Sequence, residues 1–122
     1  MIVGMCHCGA VGWRFDGVPA SLTSCNCSIC RRYAALWAYG TLANVTLIAP
    51  PDSTIAYVQG DRTLAFHVCR VCGCTTHWIS LEAEGDAWRI AVNMRMAAPE
   101  DYAAIPVRDF DGADSWTYPA EV

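Results

Sequence analysis

Apolar and polar residues alternate along much of this 122-residue chain, and a period of two is the signature of a half-buried strand. Residues 10–15 (Ala-Val-Gly-Trp-Arg-Phe) read this way, and Asp16-Gly17-Val18-Pro19 closes the run as a turn. Residues 22–25 form a short strand. Residues 36–41 and 45–49 are rich in β-favouring side chains, and Pro50-Pro51-Asp52-Ser53 breaks the chain after them. Residues 54–59 and 63–69 are two strands joined by Gly60-Asp61-Arg62. Residues 74–81 and 88–95 repeat the arrangement around Glu84-Gly85-Asp86. Short strands at this spacing predict a mainly β protein, a sandwich or a barrel. Helix is sparse: one short segment over 28–33, and another over 99–104 with Pro99 in its first turn. There is no internal repeat, low-complexity stretch or linker, so residues 1–122 are read as a single domain.

Three tight cysteine clusters interrupt the strand pattern. Cys6-His7-Cys8 precedes Gly9, Cys25-Asn26-Cys27-Ser28-Ile29-Cys30 is a C-x-C-x2-C, and Cys69-Arg70-Val71-Cys72 precedes Gly73 and Cys74. Thiols this close do not readily pair with each other, but they can converge on one soft metal ion. Four ligands close a structural zinc site, whereas three leave a position open. Pairs from the first and third clusters make Cys6, Cys8, Cys69 and Cys72 a closed site. Cys25, Cys27 and Cys30 then form an open one, so the arithmetic gives two zinc ions per chain. Cys74 is left over and reads as a core thiol in preference to a spare ligand. A disulfide framework and an iron–sulfur centre are the competing readings. Against disulfides stand the paired spacings, a length sufficient for a packed core, and a start without the features of a secretory signal. That start implies a reducing, cytoplasmic setting.

The clusters differ in local mechanics. The third lies between two strand runs, so it is a hairpin tip, with Gly73 permitting the positive φ that wraps backbone around a metal. In an extended strand residues i and i+2 are about 6.8 Å apart, too far for one ion, so Cys6-His7-Cys8 must bend, and Gly9 is the means. Cys27 and Cys30 share a face of one helical turn. Cys25 reaches in from the extended segment before them, and a helix start favours the thiolate.

Composition narrows the partners. The chain is 54% hydrophobic and 16% charged, with net charge −4 and all eight basic residues arginine. That balance gives no basic stripe for nucleic acid, and no apolar run approaches the roughly 18 residues of a membrane span. A few arginines can still line one pocket for a small anion. The oligomeric state is left open.

The ordered set of Gly4-x-Cys6-x-Cys8-Gly9, Cys25-Asn26-Cys27-Ser28-x-Cys30 and Cys69-x2-Cys72-Gly73, with Asn93-Met94-Arg95 and Phe110-Asp111-Gly112 behind it, resembles the glutathione-dependent formaldehyde-activating enzyme family, which also includes centromere protein V. The resemblance runs over nearly the whole chain. It implies an Mss4-like zinc-binding β-sheet fold with short helices. It also implies a structural zinc on Cys6, Cys8, Cys69 and Cys72, and a catalytic zinc on Cys25, Cys27 and Cys30. The implied activity is carbon–sulfur lyase chemistry on a glutathione or related thiol adduct, with S-hydroxymethylglutathione as the family's named product and glutathione as co-substrate.

Glutathione carries two carboxylates, so an arginine near the open site is chemically sensible. Arg31, Arg32 and Arg95 are the candidates by position, against the plainer reading of Arg31 and Arg32 as solvated charges. Glu82, Glu84 and His77 are considered as a general base, but surface carboxylates and a core histidine are the default. His7 and His67 read as structural, and the five tryptophans mostly as core. A zinc-stabilised interaction module and a redox or metal-responsive protein remain as alternatives. The complete three-thiol cluster favours the enzyme, because a purely structural module has no evident need for it.

Overall fold

The computed structural model describes residues 1–82 and 85–119, the Asp86 side chain excepted. Among these residues, ten strands and two short helices follow one another: β1 (Ile2–Met5), β2 (Gly12–Phe15), β3 (Leu22–Cys25), α1 (Cys30–Tyr33), β4 (Trp37–Thr41), β5 (Val45–Ile48), β6 (Thr54–Tyr57), β7 (Leu64–Cys69), β8 (Thr75–Ser80), β9 (Arg89–Asn93), α2 (Pro99–Tyr102) and β10 (Val107–Phe110). The mainly β expectation holds. Two strands escape the sequence pattern, β1 and β10. The run expected over 88–95 stops at Asn93, whose side chain accepts from the Arg95 N–H and turns the chain into a single 3-10 turn. Of the turn expected at 84–86, Glu84 lies outside the described residues.

The strands form two sheets. One has three strands in the order β1-β2-β5, the other seven in the order β10-β3-β4-β9-β8-β7-β6. All pairings are antiparallel except β10 on β3, which is parallel, with Phe110 opposite Cys25.

Alternation gives the large sheet two different faces. On one, Ala38, Ile90 and Val92 pack against Trp13, Phe15 and Val45 from the small sheet, forming the main core. On the other, Trp37, Phe66, Trp78 and Ala91 form a second apolar cluster with Cys30 and Ala35, against which Cys25, Cys27 and Tyr33 pack. The helix α1 therefore sits on the face turned away from the small sheet. A third cluster, Cys6, Val11 and Cys69, joins the β1–β2 connection to the β7–β8 tip. No helix among the described residues is long and apolar enough to cross a membrane.

Candidate functional site

The first and third cysteine clusters meet. The Sγ atoms of Cys6, Cys8, Cys69 and Cys72 all lie within 4.8 Å of one another. Cys8 Sγ is 3.6 Å from both Cys6 Sγ and Cys69 Sγ. A tetrahedron of sulfurs about 2.3 Å from zinc has edges of about 3.8 Å, so the spacing fits a metal and is far beyond a disulfide bond. All eight cysteines are free.

The two contributing loops are built alike. The Gly9 N–H donates to Cys6 O (3.0 Å) and the Gly73 N–H to Cys69 O (2.9 Å). Gly9 and Gly73 have φ of 81° and 79°, the left-handed conformation the sequence assigned to them. The geometry favours thiolates unevenly. The backbone N–H of Cys74 helps hold the Cys72 thiol down to about 5. Cys8 is pushed up to about 12: the Ala10 N–H pulls it down, but burial and the neighbouring thiols outweigh that pull. Cys74 lies beside this group and outside the set of four.

The middle cluster forms a separate group, with the Sγ atoms of Cys25, Cys27 and Cys30 within 4.8 Å of one another. Cys25 ends β3, Cys27 lies in the turn, and Cys30 opens α1. The Cys27 N–H points at Cys25 Sγ (3.5 Å) and the Cys30 N–H at Cys27 Sγ (3.4 Å). Burial raises the Cys27 thiol, but the Cys30 N–H and the two other thiols outweigh it, so its pKa is lowered. That N–H is the relevant donor here, since a helix of four residues has little macrodipole. Burial raises Cys30, against the pull of the Trp37 indole, whose buried Nε1–H has no hydrogen-bond partner of ordinary geometry. Burial likewise raises Cys25.

Two cavities of opposite character open on this group. The larger, about 470 Å³, extends from the three thiols over the second face of the large sheet, walled chiefly by aromatic rings and rimmed by Gln59, Asp61 and Arg89. The smaller, about 290 Å³, shares Cys25 and Cys30 and holds Ser24, Asn26, Arg31 and Arg95.

The sequence of residues 1–104 matches the profile of the family described as glutathione-dependent formaldehyde-activating enzyme. The chain belongs to that family. The fold is also similar to a crystal structure of a Rhodobacter sphaeroides protein determined by structural genomics. The two share 29% identity and a TM-score of 0.67 over 87% of this chain and 99% of the other. No curated protein is significantly similar to the chain.

The motifs singled out in the sequence now have physical roles. The Asn26 side chain donates to Asp111 Oδ1 (3.0 Å) and accepts from the Ala113 N–H (3.0 Å), so the asparagine of the cysteine motif is tied to the aspartate of Phe110-Asp111-Gly112. That bond and the Ser115 N–H and hydroxyl hold the Asp111 carboxyl below its usual range. Gly112 passes so close to the thiols that an added Cβ would stand 2.6 Å from Cys25 Sγ. Asn93 accepts from the Leu36 N–H (3.3 Å) and donates to Thr75 O (2.9 Å), and Arg95 Nε donates to Ala34 O (2.6 Å). Both fix the segment that leaves α1.

The expected arginines divide. Arg31 and Arg95 share the smaller cavity, while Arg32 donates to Ser28 O (2.6 Å) and lines neither. Neither of the described base candidates lines the two cavities. Glu82 is exposed near Ser80, Glu84 lies outside the described residues, and His77 is buried and stacked on His67 with ring centroids 4.6 Å apart. Asp61 and Arg89 at the rim were not foreseen. Neither carries a motif; Arg89 from β9 and Asp61 from the β6–β7 turn share the lining of the large cavity with the thiols. The tryptophans also divide. Trp13 is core, but Trp37, Trp78 and Trp116 line the large cavity, and Trp116 is 70% exposed.

Proposed function

We propose that the protein is a zinc-dependent enzyme that makes and breaks a carbon–sulfur bond in an adduct of a thiol, glutathione in the first instance, with a carbonyl compound. The observation that carries this reading is the position of Cys25, Cys27 and Cys30 at the junction of a cationic and an aromatic cavity. A three-thiol donor set leaves a fourth coordination position open, whereas Cys6, Cys8, Cys69 and Cys72 supply a full tetrahedron. Two zinc ions per chain follow, the second holding the loops together. A reducing cytoplasm suits eight free thiols.

In the addition direction the thiol sulfur bonds to the carbonyl carbon, the carbonyl π bond breaks, and the thiol proton ends on oxygen. The lyase direction is the reverse, and no electrons are gained or lost. Cys25, Cys27 and Cys30 would hold the zinc, which would supply a thiophilic position favouring the substrate's thiolate. Arg31 and Arg95 hold the thiol's carboxylates on one side of the cysteines. The aromatic wall keeps water from the carbonyl carbon on the other. The Asp61 carboxylate lines the same cavity, its Oδ1 accepting from the Thr63 N–H and hydroxyl.

The test is exchange between ¹³C-formaldehyde, glutathione and S-hydroxymethylglutathione followed by NMR on zinc-loaded protein. The reading expects exchange faster than in buffer, and Arg31→Ala raising KM about tenfold with kcat little changed, as for one charge-assisted contact. Exchange at the buffer rate for formaldehyde and for a panel of other carbonyl compounds would overturn it.

A further inference from the structure

The large cavity is far bigger than formaldehyde requires. A hydroxymethyl group has two heavy atoms and fills a space of about 60 Å³, roughly two waters' share, against about 470 Å³ here. Seven aromatic rings line the cavity beside Gln59, Asp61, Thr63 and Arg89. Phe66, Trp78, Ala91 and Tyr39 are successive cross-strand neighbours on β7, β8, β9 and β4, so they form one row across the sheet. Ala91 is the small member, and over it the Tyr39 and Trp78 rings approach to 6.0 Å between centroids. Trp37 stands beside this row, 6.0 Å from Phe66. The row ends in a floor of rings reaching the thiols.

The mouth is also aromatic. Trp116 packs edge-on against Phe110 with centroids 5.1 Å apart at 76°. Its φ is +58°, a left-handed conformation in a bulky residue, which surrounding structure must enforce. An indole that is 70% exposed and held in a strained backbone at a cavity mouth is placed to cover something flat.

The tripeptide of glutathione is a poor occupant. Its charged termini would lose water against the rings, whereas the smaller cavity, which shares Cys25 and Cys30, offers Arg31, Arg95 and Asn26. The two halves of an adduct therefore sort by chemistry to the two cavities that share Cys25 and Cys30.

We infer that the carbonyl partner is a bulky flat compound, an aromatic aldehyde in chemical class, whose ring seats in the large cavity, whose lining includes Trp78 and Trp116. This rests on the adduct reading above and narrows its substrate. The bond changes are those already given, with the carbonyl carbon bearing a ring in place of a hydrogen.

The test uses stable probes on zinc-loaded protein. S-benzylglutathione and S-methylglutathione are titrated by calorimetry and by quenching of tryptophan fluorescence, together with benzyl mercaptan and ethanethiol. Burial of the ring predicts at least tenfold tighter binding of the benzyl member of a pair. Trp116→Gly, which removes the left-handed strain and an exposed side chain, keeps the melting temperature and reduces that preference severalfold without weakening S-methylglutathione. A benzyl preference in the simple thiols with no binding of either glutathione derivative supports the cavity assignment and refutes glutathione as the thiol. Binding of both glutathione derivatives with equal affinity overturns the aromatic assignment and leaves the thiol site standing. Absence of a benzyl preference in both pairs overturns the inference outright.

Discussion

Gly112→Ala is a small change aimed at one site. Gly112 does not have a positive φ, so alanine fits its backbone and the effect is steric. The new Cβ would meet Cys25 Sγ at 2.6 Å and Cys27 Cβ at 3.2 Å. Ordinary contact begins at about 3.5 Å, so the thiol must retreat by about 0.9 Å or leave its rotamer. Metal–ligand distances tolerate about 0.2 Å. The displacement is several times that tolerance, so the three-thiol site should lose its metal. Overpacking should cost about 1–3 kcal/mol, which leaves the fold intact. The four-cysteine group takes its thiols from other loops and should keep its ion. Elemental analysis of the purified variant should find one zinc per chain, with a modest fall in melting temperature. Two zinc ions per chain and an unchanged melt would refute the idea that this glycine is required by the approach of Cys25.

The two cysteine groups should respond differently to loss of a ligand. Cys72→Ser breaks a set that joins the β1–β2 connection to the β7–β8 tip, and should cost several kcal/mol out of a total of about 5–15, leaving little folded protein; Cys27→Ser breaks a set contained within six residues and should fold with one zinc. Equal thermal destabilisation of the two variants would contradict the division. Acid should destabilise the protein partly through His77. Burial, and after it the charge of His67, depress its pKa from 6.5 to about 3, so the folded protein keeps it neutral while the unfolded chain binds a proton below about pH 6.5. Its contribution is complete above pH 6.5 and is lost as pH falls towards 3, with a slope of at most about 1.4 kcal/mol per unit. His77→Asn should flatten this limb of the melting temperature against pH relative to wild type. Thiolate protonation affects both proteins alike, so parallel curves would count against the assignment.

Strands with alternating faces were legible because each buries one side. The β7–β8 tip was legible because the Cys69–Gly73 motif lies between two such runs. The strand β1 was not, since Ile2-Val3-Gly4-Met5 reads as a lead-in to the first cysteine. The strand β10 pairs in parallel with β3 across some 85 positions, a contact no local pattern records. The grouping of thiols followed from ligand arithmetic. The surroundings of the open group did not, because strand order brings Arg89, Tyr39 and Phe66, and the β6–β7 turn brings Asp61, into the same cavity. Tryptophan shows the limit most clearly. Trp37 is both fully packed and part of the cavity wall, and hydrophobicity alone does not separate those roles.

The central claim is that one cysteine group is closed and the other has a position for substrate sulfur. Cobalt replacing zinc reports both through its thiolate charge-transfer and d–d bands. The account predicts two cobalt ions per chain in sulfur-rich tetrahedral sites, and a change in the bands of one of them when a thiol is added. That response should be absent in Cys27→Ser, which retains the other cobalt. Spectra insensitive to glutathione, benzyl mercaptan and ethanethiol alike would contradict it.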